Sequence, residues 1–272
     1  GEGAHVGVSN SGDIVADGIF GATGIAATSG GYGGTVTVLN SGDLYVAQNQ
    51  KYGYGAYGIA VSADADGAIS NSGAIEVVSG GAATGAAVLS FAGDAVVVNS
   101  GDIDVATTAQ KYYSATGILA FAANGQAYVN NSGDVSADWS SGIGYGSARA
   151  VDAQGQQGVT VVNSGSLYAN GKYAYGVYAL SSGGDVVVHN AESGEIGFYS
   201  YLGNGFGVLG ISYLGDVVVD NDGATGTPGL SISDIVVDEN AQRASVFVSM
   251  NQPSVSTVTV AYATADINAA GT

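Results

Sequence analysis

The side chains that could carry out acid–base or metal chemistry are few and are spread along the chain. The sequence has 23 Asp and Glu residues, five Lys and Arg residues and two histidines, His5 and His189. An enzyme that cleaves polysaccharides needs a basic proton acceptor or a pair of carboxylates placed across its substrate. Asp64, Asp66 and Asp94 lie in loops that follow predicted strands, but no positioned acid or nucleophile accompanies them. The sequence therefore predicts no catalytic residues, and a carbohydrate-active enzyme is the least favoured function.

A second set of carboxylates recurs at a regular place in the sequence. Asp13, Asp43, Asp102 and Asp134 each directly follow an Asn-Ser-Gly tripeptide, whereas Ala74 interrupts the series. Stacked carboxylates repel one another, and a divalent cation could relieve that repulsion. The interruption favours the alternative interpretation, in which these residues form a solvated corner.

Three Lys-Tyr pairs recur at about twice the spacing of the Asn-Ser-Gly tripeptides. The pairs are Lys51-Tyr52, Lys111-Tyr112 and Lys172-Tyr173. Tyrosine offers a large contact area at a small cost in conformational entropy, so a strip of such loops could bind carbohydrate, another protein or a second copy of the chain. In the other interpretation, the tyrosines only cover the adjacent strand. The sequence leaves both interpretations open, and this contact strip is the candidate binding site.

An asparagine marks the repeat that would position these loops. Successive markers are 30, 31, 28, 32, 32, 27 and 31 residues apart, and Ser-Gly follows the first six. The eight markers are Asn10, Asn40, Asn71, Asn99, Asn131, Asn163, Asn190 and Asn221. A stacked column of asparagines can pass amide hydrogen bonds between strands, and glycine permits the positive φ that a tight corner needs. The tripeptide is therefore predicted to form a structural corner with an asparagine ladder, and not a binding site.

Hydrophobic residues alternate on both sides of each marker. Valine or isoleucine stands two residues before every marker asparagine, as at Val38. Apolar residues stand four and six positions after each of the first six markers, as at Leu44 and Val46. This alternation is typical of strands that bury one face. With a third strand further on, each repeat holds three strands, whereas a propeller blade needs four strands in about forty residues. We therefore predict an all-β fold, a parallel β-helix of about seven three-strand coils over residues 1–221, in preference to a β-sandwich or β-propeller.

The third strand of each repeat carries a motif such as Ala-Thr-Gly-Ile-Leu-Ala, which begins at Ala115. Its fourth and sixth positions are apolar and are expected to point inward. Its first and third positions are alanine or glycine in all seven repeats, and its fifth tolerates Asp152 and Tyr178, so these three positions are expected to point outward. The resulting flat surface of small residues would be covered by tyrosine loops or by another subunit.

The composition of the chain limits its partners. The net charge is −18, and nucleic acid and anionic membranes repel a polyanion, so a cationic partner or a divalent metal is more natural. The sequence has no cysteine and no stretch typical of a transmembrane helix or a signal peptide. It begins at Gly1 and stops at Thr272 before its last pattern is complete, and we expect it to be a fragment of a larger protein.

The repeat motif resembles that of a known class of bacterial surface proteins. Repeats of the form V-x-V-x-N-S-G-x-I, followed by A-[TY]-G-I-x-A, run from about Val6 to Asn221. They are similar to the passenger regions of bacterial autotransporters and of filamentous-haemagglutinin-like proteins. That resemblance implies a right-handed parallel β-helix, export to the cell surface, and a role in adhesion, aggregation or surface coating.

The pattern changes after the last marker. Residues 222–229 read as a turn-rich linker, and residues 230–272 contain three alternating stretches. Asp238-Glu239, the Val-Thr-Val tripeptide from Val258 and the Tyr-Ala-Thr-Ala-Asp segment that ends at Asp266 are similar to the first half of a Calx-beta domain. This resemblance implies a partial β-sandwich, and it implies calcium as a candidate cofactor bound by Glu239 and Asp266.

Together these patterns predict a structural or adhesive component of a large exported bacterial surface protein, without enzymatic activity. Its expected partners are glycans, the surface of a host or neighbouring cell, or further copies of itself, but not nucleic acid, and the segment is not expected to insert into a membrane. The first alternative is a subunit of a self-assembling extracellular filament that exchanges strands through its C-terminal part. The second alternative is a carbohydrate-active enzyme.

Overall fold

A computed structural model of the chain describes residues 3–50, 53–108, 113–139, 146–222, 230–232 and 248–250. Within these ranges every regular element is a β-strand. The strands before residue 222 form a parallel β-solenoid of about seven coils, in which each coil passes through three strand positions before the chain reaches the next coil. The predicted fold is confirmed. None of the described residues belongs to a helix with the length and hydropathy that crossing a bilayer requires.

The first sheet contains the strand that ends at each marker asparagine. Its eight strands are β1 His5–Asn10, β4 Thr35–Asn40, β7 Gly67–Asn71, β10 Ala95–Asn99, β13 Gln126–Asn131, β16 Gly158–Asn163, β18 Val186–Asn190 and β20 Val217–Asn221. Neighbouring strands pair in parallel, with marker opposite marker in every pair. The repeat spacing therefore sets the register of the whole sheet.

The other two strand positions join into one large sheet. The second position is occupied by β2 Ile14–Gly18, β5 Leu44–Gln48, β8 Ile75–Ser79, β11 Ile103–Thr107 and β14 Val135–Trp139. The third position is occupied by β3 Gly21–Thr28, β6 Gly55–Ala63, β9 Ala83–Ser90, β12 Ala115–Ala122 and β15 Ser147–Gly155. In the sixth and seventh coils, single long strands cover both positions: β17 Ser166–Ser181 and β19 Glu195–Ser212. The prediction of three separate strands per coil is thus correct for five coils and wrong for the sixth and seventh.

The core lies inside the coils and is built by the alternation that the sequence shows. In the first and second strands of the inner coils, the residues at the apolar positions are buried, as Val97 and Ile103 illustrate. The fourth and sixth positions of the third strand also point inward, as predicted; Ile118 and Ala120 are buried. Burial of two apolar residues per short strand, on three sides of each coil, supplies the main driving force for stacking.

The prediction for the first and third positions of the third strand was wrong. Ala83 and Ala115 occupy the first position, and both are buried in the core. At the third position, a Cβ added to Gly117 would lie 2.3 Å from Cγ1 of Val135 and 2.6 Å from the carbonyl oxygen of Ala150. The third strand bends at this glycine, so the third and fourth positions both face inward and the alternation breaks. The exposed surface of small residues therefore does not exist.

The glycine of the Asn-Ser-Gly corner is needed for a reason other than the predicted one. Gly73 and Gly101 do not adopt a positive φ. Instead, a Cβ on Gly101 would lie 2.1 Å from the carbonyl oxygen of Gly73 in the coil before it. Stacked corners approach too closely for any side chain, and only glycine satisfies this contact.

The C-terminal part is described only in two short strands. β21 Leu230–Ile232 and β22 Val248–Met250 pair in an antiparallel manner. The rest of residues 223–272 lies outside the described residues. The candidate calcium ligands Glu239 and Asp266 are among the residues not described, so the calcium site and the partial β-sandwich stay predictions.

Candidate functional site: the tyrosine face of the sixth and seventh coils

The marker asparagines form a continuous hydrogen-bonded column along the first corner. In the middle of the column, Nδ2 of Asn131 donates to Oδ1 of Asn163 at 2.9 Å and to the carbonyl oxygen of Gly133 at 2.7 Å. Its Oδ1 accepts from Nδ2 of Asn99 at 2.8 Å. The same side-chain bond joins every neighbouring pair from Asn10 to Asn221. The amides between the two ends of the column both donate to and accept from their neighbours, which gives the column a structural role.

The carboxylates that recur after the corners are also engaged by the neighbouring coil. The backbone N–H of Ala74 donates to Oδ1 of Asp43 at 2.9 Å, and the N–H of Asp43 donates to Oδ1 of Asp13 at 3.2 Å. The loop carboxylates behave in the same way, since the N–H of Asp94 donates to Oδ1 of Asp66 at 2.9 Å. These acids extend the backbone ladder by one hydrogen bond per coil.

A second buried polar column was missed by the sequence analysis. Gln48, Ser79 and Thr107 follow the inward positions of three successive second strands and are almost fully buried. The Ser79 hydroxyl donates to Oε1 of Gln48 at 3.0 Å, and Nε2 of Gln48 donates to the carbonyl oxygen of Ile19 at 2.7 Å. Extending the alternation of the second strand by one more position would have placed these polar side chains inside the coils.

Only one third of the predicted contact strip lies among the described residues. Lys51, Tyr52, Lys111 and Tyr112 fall outside them. Lys172 and Tyr173 lie near the middle of β17, and both are half-buried. The pairing of three Lys-Tyr loops into one strip therefore stays a prediction.

The described tyrosines are instead concentrated on β17 and β19. Six of the 17 tyrosines fall between residues 168 and 201. Because Leu167 and Ala169 point inward, the alternation places Tyr168 and Asn170 on the outer face of β17. Tyr199 and Tyr201 are exposed at the corresponding face of β19. The signal was present in the sequence as a local excess of tyrosine, but its two halves are about thirty residues apart.

These side chains form a cluster, which we call the tyrosine face: Asp138, Tyr168, Asn170, Tyr199 and Tyr201. Its strands are adjacent, with Asp138 of β14 opposite Asn170 of β17, and Asn170 opposite Tyr199 of β19. The rings of Tyr199 and Tyr201 are perpendicular, at 89° with centroids 5.4 Å apart. The exposed fractions of Tyr168, Tyr199 and Tyr201 are 44%, 55% and 45%. The cluster thus presents three partly exposed rings beside a carboxylate and an amide.

The electrostatics of the tyrosine face are dominated by partial burial and negative charge. Burial raises the pKa of Asp138, the bond from the Asn170 amide lowers it, and the charge of Asp104 raises it. Burial also raises the pKa of Tyr201, and the charge of Asp138 raises it further, while a hydrogen bond with Asn170 lowers it. The charge of Asp138 therefore acts on the Tyr201 hydroxyl, and both groups are partly buried.

A second aromatic cluster lies on the outer side of the third strands. Arg149 pairs with Asp152, with 2.5 Å between Nη1 and Oδ2, and Nε2 of Gln154 donates to Asp152 at 2.8 Å. The guanidinium carbon of Arg149 lies 4.6 Å from the ring centroid of Tyr178 and 5.7 Å from that of Tyr175. Asp152 is buried, so this pair is a closed, internally neutral contact within β15, and Arg149 joins it to the tyrosines of β17 in the next coil. It stabilises the solenoid and offers little for a ligand to bind.

A third cluster joins His189 of β18 to the next coil. Nδ1 of His189 lies 3.0 Å from Oδ2 of Asp220, and Asp222 completes a group whose potential ligand atoms lie within 4.8 Å of one another. His189 follows the inward-facing Val188 and therefore occupies an outward position of its strand. The pair is readily explained as a contact between exposed side chains of neighbouring strands.

No protein-family model, curated protein or solved structure matches this chain.

Proposed function

We propose that this chain is a non-enzymatic structural and adhesive segment of an exported bacterial surface protein. The observation that carries the proposal is the tyrosine face: exposed aromatic and polar side chains held on the outside of a regular solenoid. Aromatic rings of this kind supply much of the binding energy at protein surfaces, and a regular strand framework holds them in fixed positions. The surface-protein setting rests on the resemblance of the repeats to bacterial passenger regions.

The internal ladders support a structural role. Side-chain amides link every coil to the next at the first corner, and backbone N–H groups donate to aspartates at several of the corners. Because these hydrogen bonds join neighbouring coils, each added coil contributes a further interface to the free energy of unfolding. Such a rod can hold a binding surface away from its point of attachment.

The surroundings of the loop carboxylates favour adhesion over catalysis. Asp64, Asp66 and Asp94 are the acids that an enzyme on this scaffold would use, but each accepts a backbone hydrogen bond from a neighbouring coil. The N–H of Gly33 donates to Asp64 at 2.6 Å, and the N–H of Gln126 donates to Asp94 at 2.8 Å. These bonds give the recurrence of the three acids a structural explanation, because each carboxylate commits one oxygen to the contact between coils.

The test is an adhesion assay with the whole chain displayed on the surface of a non-adherent bacterium. We expect the displayed chain to retain cells on a layer of host or neighbouring cells under flow. The double variant Tyr199→Ala with Tyr201→Ala should lose most of that retention. Tyr45→Ala is the matched control, because Tyr45 lies in the same outward column as Tyr168 and is similarly exposed, at 42%. Failure of the unaltered chain to retain cells on any layer would overturn the proposal.

The filament alternative makes a different prediction. It requires strand exchange through residues 230–272, most of which lie outside the described residues, so it rests on the sequence alone. Light scattering at high protein concentration separates the two proposals, since a filament subunit should form growing assemblies and a displayed adhesive rod need not.

A further inference from the structure

The tyrosine face carries a negative charge at Asp138, and the charged neighbour that acts on this carboxylate is a second carboxylate, Asp104. The ion pairs among the described residues are Arg149 with Asp152 and His189 with Asp220, and neither includes Asp138. The hydrogen-bond donor to Asp138 is Nδ2 of Asn170, at the long distance of 3.3 Å. A partly buried carboxylate with one weak neutral donor retains most of its capacity to accept further hydrogen bonds.

The amide beside this carboxylate also has an unused acceptor. Oδ1 of Asn170 is buried and has no hydrogen-bond partner. An unpaired acceptor of this kind is costly, and in native proteins it usually has a specific explanation. The floor of the tyrosine face is therefore a partly exposed carboxylate, Asp138, beside a buried amide oxygen that lacks a donor.

The tyrosine rings beside Asp138 and Asn170 also have exposed faces that a ligand can contact. In a perpendicular pair, the edge of one ring covers at most one face of the other, and Tyr199 and Tyr201 are 55% and 45% exposed. Tyr168 lies on the neighbouring strand, where its ring covers Gly197; a Cβ on that glycine would lie 3.2 Å from Cδ2 of Tyr168. The faces of aromatic rings carry partial negative charge and attract cations.

We propose that the tyrosine face binds an organic cation of the alkylammonium type, supplied by a lysine side chain of a partner protein or by a small quaternary or primary amine. The group would stack its methylene or methyl carbons on the tyrosine rings and place its charge beside Asp138. This inference rests on the proposed adhesive function, since it identifies the chemistry of the partner that the adhesive face would take.

Charge excludes several other ligand classes. The chain carries a net charge of −18, and Asp104 adds a further carboxylate near Asp138, so phosphate, sulfate or a uronic acid would be repelled. A metal ion is also a poor fit. Among the described residues, the group with three potential metal ligands in reach is His189, Asp220 and Asp222, and Asp138 is not part of it.

The test uses the whole chain labelled with ¹³C in its tyrosine rings, with resonances assigned by single Tyr→Phe variants. Choline chloride is the first probe, and its uncharged isostere 3,3-dimethylbutan-1-ol is the control. We expect choline to shift the resonances of Tyr168, Tyr199 and Tyr201 with a dissociation constant of about 1–10 mM, and the alcohol to leave them unchanged. Equal shifts from both probes, or no shift at about 50 mM choline, would overturn the proposal.

A matched pair of charge variants tests the role of Asp138. Asp138→Asn keeps the shape of the side chain and should weaken choline binding about tenfold. Glu76→Gln removes the same charge from an exposed position on the same sheet and should leave binding within about twofold. Equal affinity of both variants would show that Asp138 does not bind the cation. The fluorescence of buried Trp139, the single tryptophan, verifies that both variants are folded.

A lysine peptide distinguishes the two sources of the cation. A pentalysine peptide that shifts the same resonances at lower concentration than choline would support a protein partner, and the reverse order would support a small amine. The adhesion assay separates this inference from the proposed function. If no probe binds while the displayed chain still adheres through Tyr199 and Tyr201, the cation site is wrong and the adhesive function stands.

Discussion

Replacing Asn131 by alanine tests whether the asparagine column holds the solenoid together. Asn131 lies near the middle of the column and is fully buried. The substitution removes the bonds to Asn163 and Gly133 and the bond that Asn131 accepts from Asn99. Asn99 keeps its bond to the carbonyl oxygen of Gly101, at 2.6 Å, but Oδ1 of Asn163 loses its donor. The damage therefore extends to both neighbouring coils.

The expected loss of stability follows from these broken bonds. Two acceptors lose their donor, Oδ1 of Asn163 and the carbonyl oxygen of Gly133. An unsatisfied buried donor or acceptor costs about 1–3 kcal/mol, so the free energy of unfolding should fall by about 2–6 kcal/mol. Asn10 provides the comparison because it stands at the first coil and is half-exposed. Asn10→Ala breaks bonds to Asn40 and Gly12 where water can replace them, and should cost about 1–2 kcal/mol.

Guanidinium unfolding followed by tryptophan fluorescence measures both variants. Trp139 lies in β14, in the same coil as Asn131, and its emission reports the coil under test. Far-UV circular dichroism reports the remaining coils and shows whether unfolding is still concerted. A fall for Asn131→Ala no larger than that for Asn10→Ala would refute the view that the buried part of the column stabilises the stack.

The variant Asn131→Asp separates hydrogen bonding from packing. An aspartate oxygen would replace the amide nitrogen opposite two acceptors, Oδ1 of Asn163 and the carbonyl oxygen of Gly133. Only a protonated carboxyl can donate there, so the pKa of the new group should lie well above its ordinary value in the folded state. A raised folded-state pKa gives stability that is present in acid and is lost as the pH rises. The deficit relative to the unaltered chain should therefore grow from acid to neutral pH.

Three further substitutions test other parts of the structure, each by guanidinium unfolding. Gly101→Ala should cost at least about 3 kcal/mol, because its Cβ would collide with the carbonyl oxygen of Gly73. Arg149→Ala should cost about 2 kcal/mol by leaving buried Asp152 without its cation; the arginine side chain is 28% exposed, which keeps the loss below that of a fully buried pair. Asp138→Asn should gain stability relative to the unaltered chain as the pH rises, because burial raises the folded-state pKa of Asp138 and its stabilising contribution is confined to acid.

Each of these substitutions has a matched control. Gly12 holds the same position in the first tripeptide, but nothing lies within 4 Å of a Cβ added to it. Equal losses of stability from Gly12→Ala and Gly101→Ala would therefore contradict the collision. The double variant of Arg149 and Asp152 should be more stable than Arg149→Ala alone, and additive losses would argue against a coupled pair. For Asp138, a pH profile that matches that of Glu76→Gln would show that burial does not perturb the carboxyl.

Much of the framework could be predicted from the sequence because its cause is local. Alternation around Val97 and Ile103 follows from the period of a strand with one buried face, and the recurrence of the asparagines follows from stacking of equivalent residues. The same alternation fails at the third strand. Gly117 and Ile118 both face inward because the strand bends at the glycine, and a bend leaves no trace in a pattern of alternating residues.

Residues at fixed local offsets are enough to define the repeat, the strands that bury Val97 and Ile103, and the column of asparagines. The side chains that meet across coils are known only from the folded structure. Gly101 is needed because Gly73 lies directly beneath it, and Asp138, Asn170 and Tyr199 become neighbours because three coils of slightly different length end in register. Contacts between residues about thirty positions apart depend on the length of every intervening loop, and no local pattern records that sum.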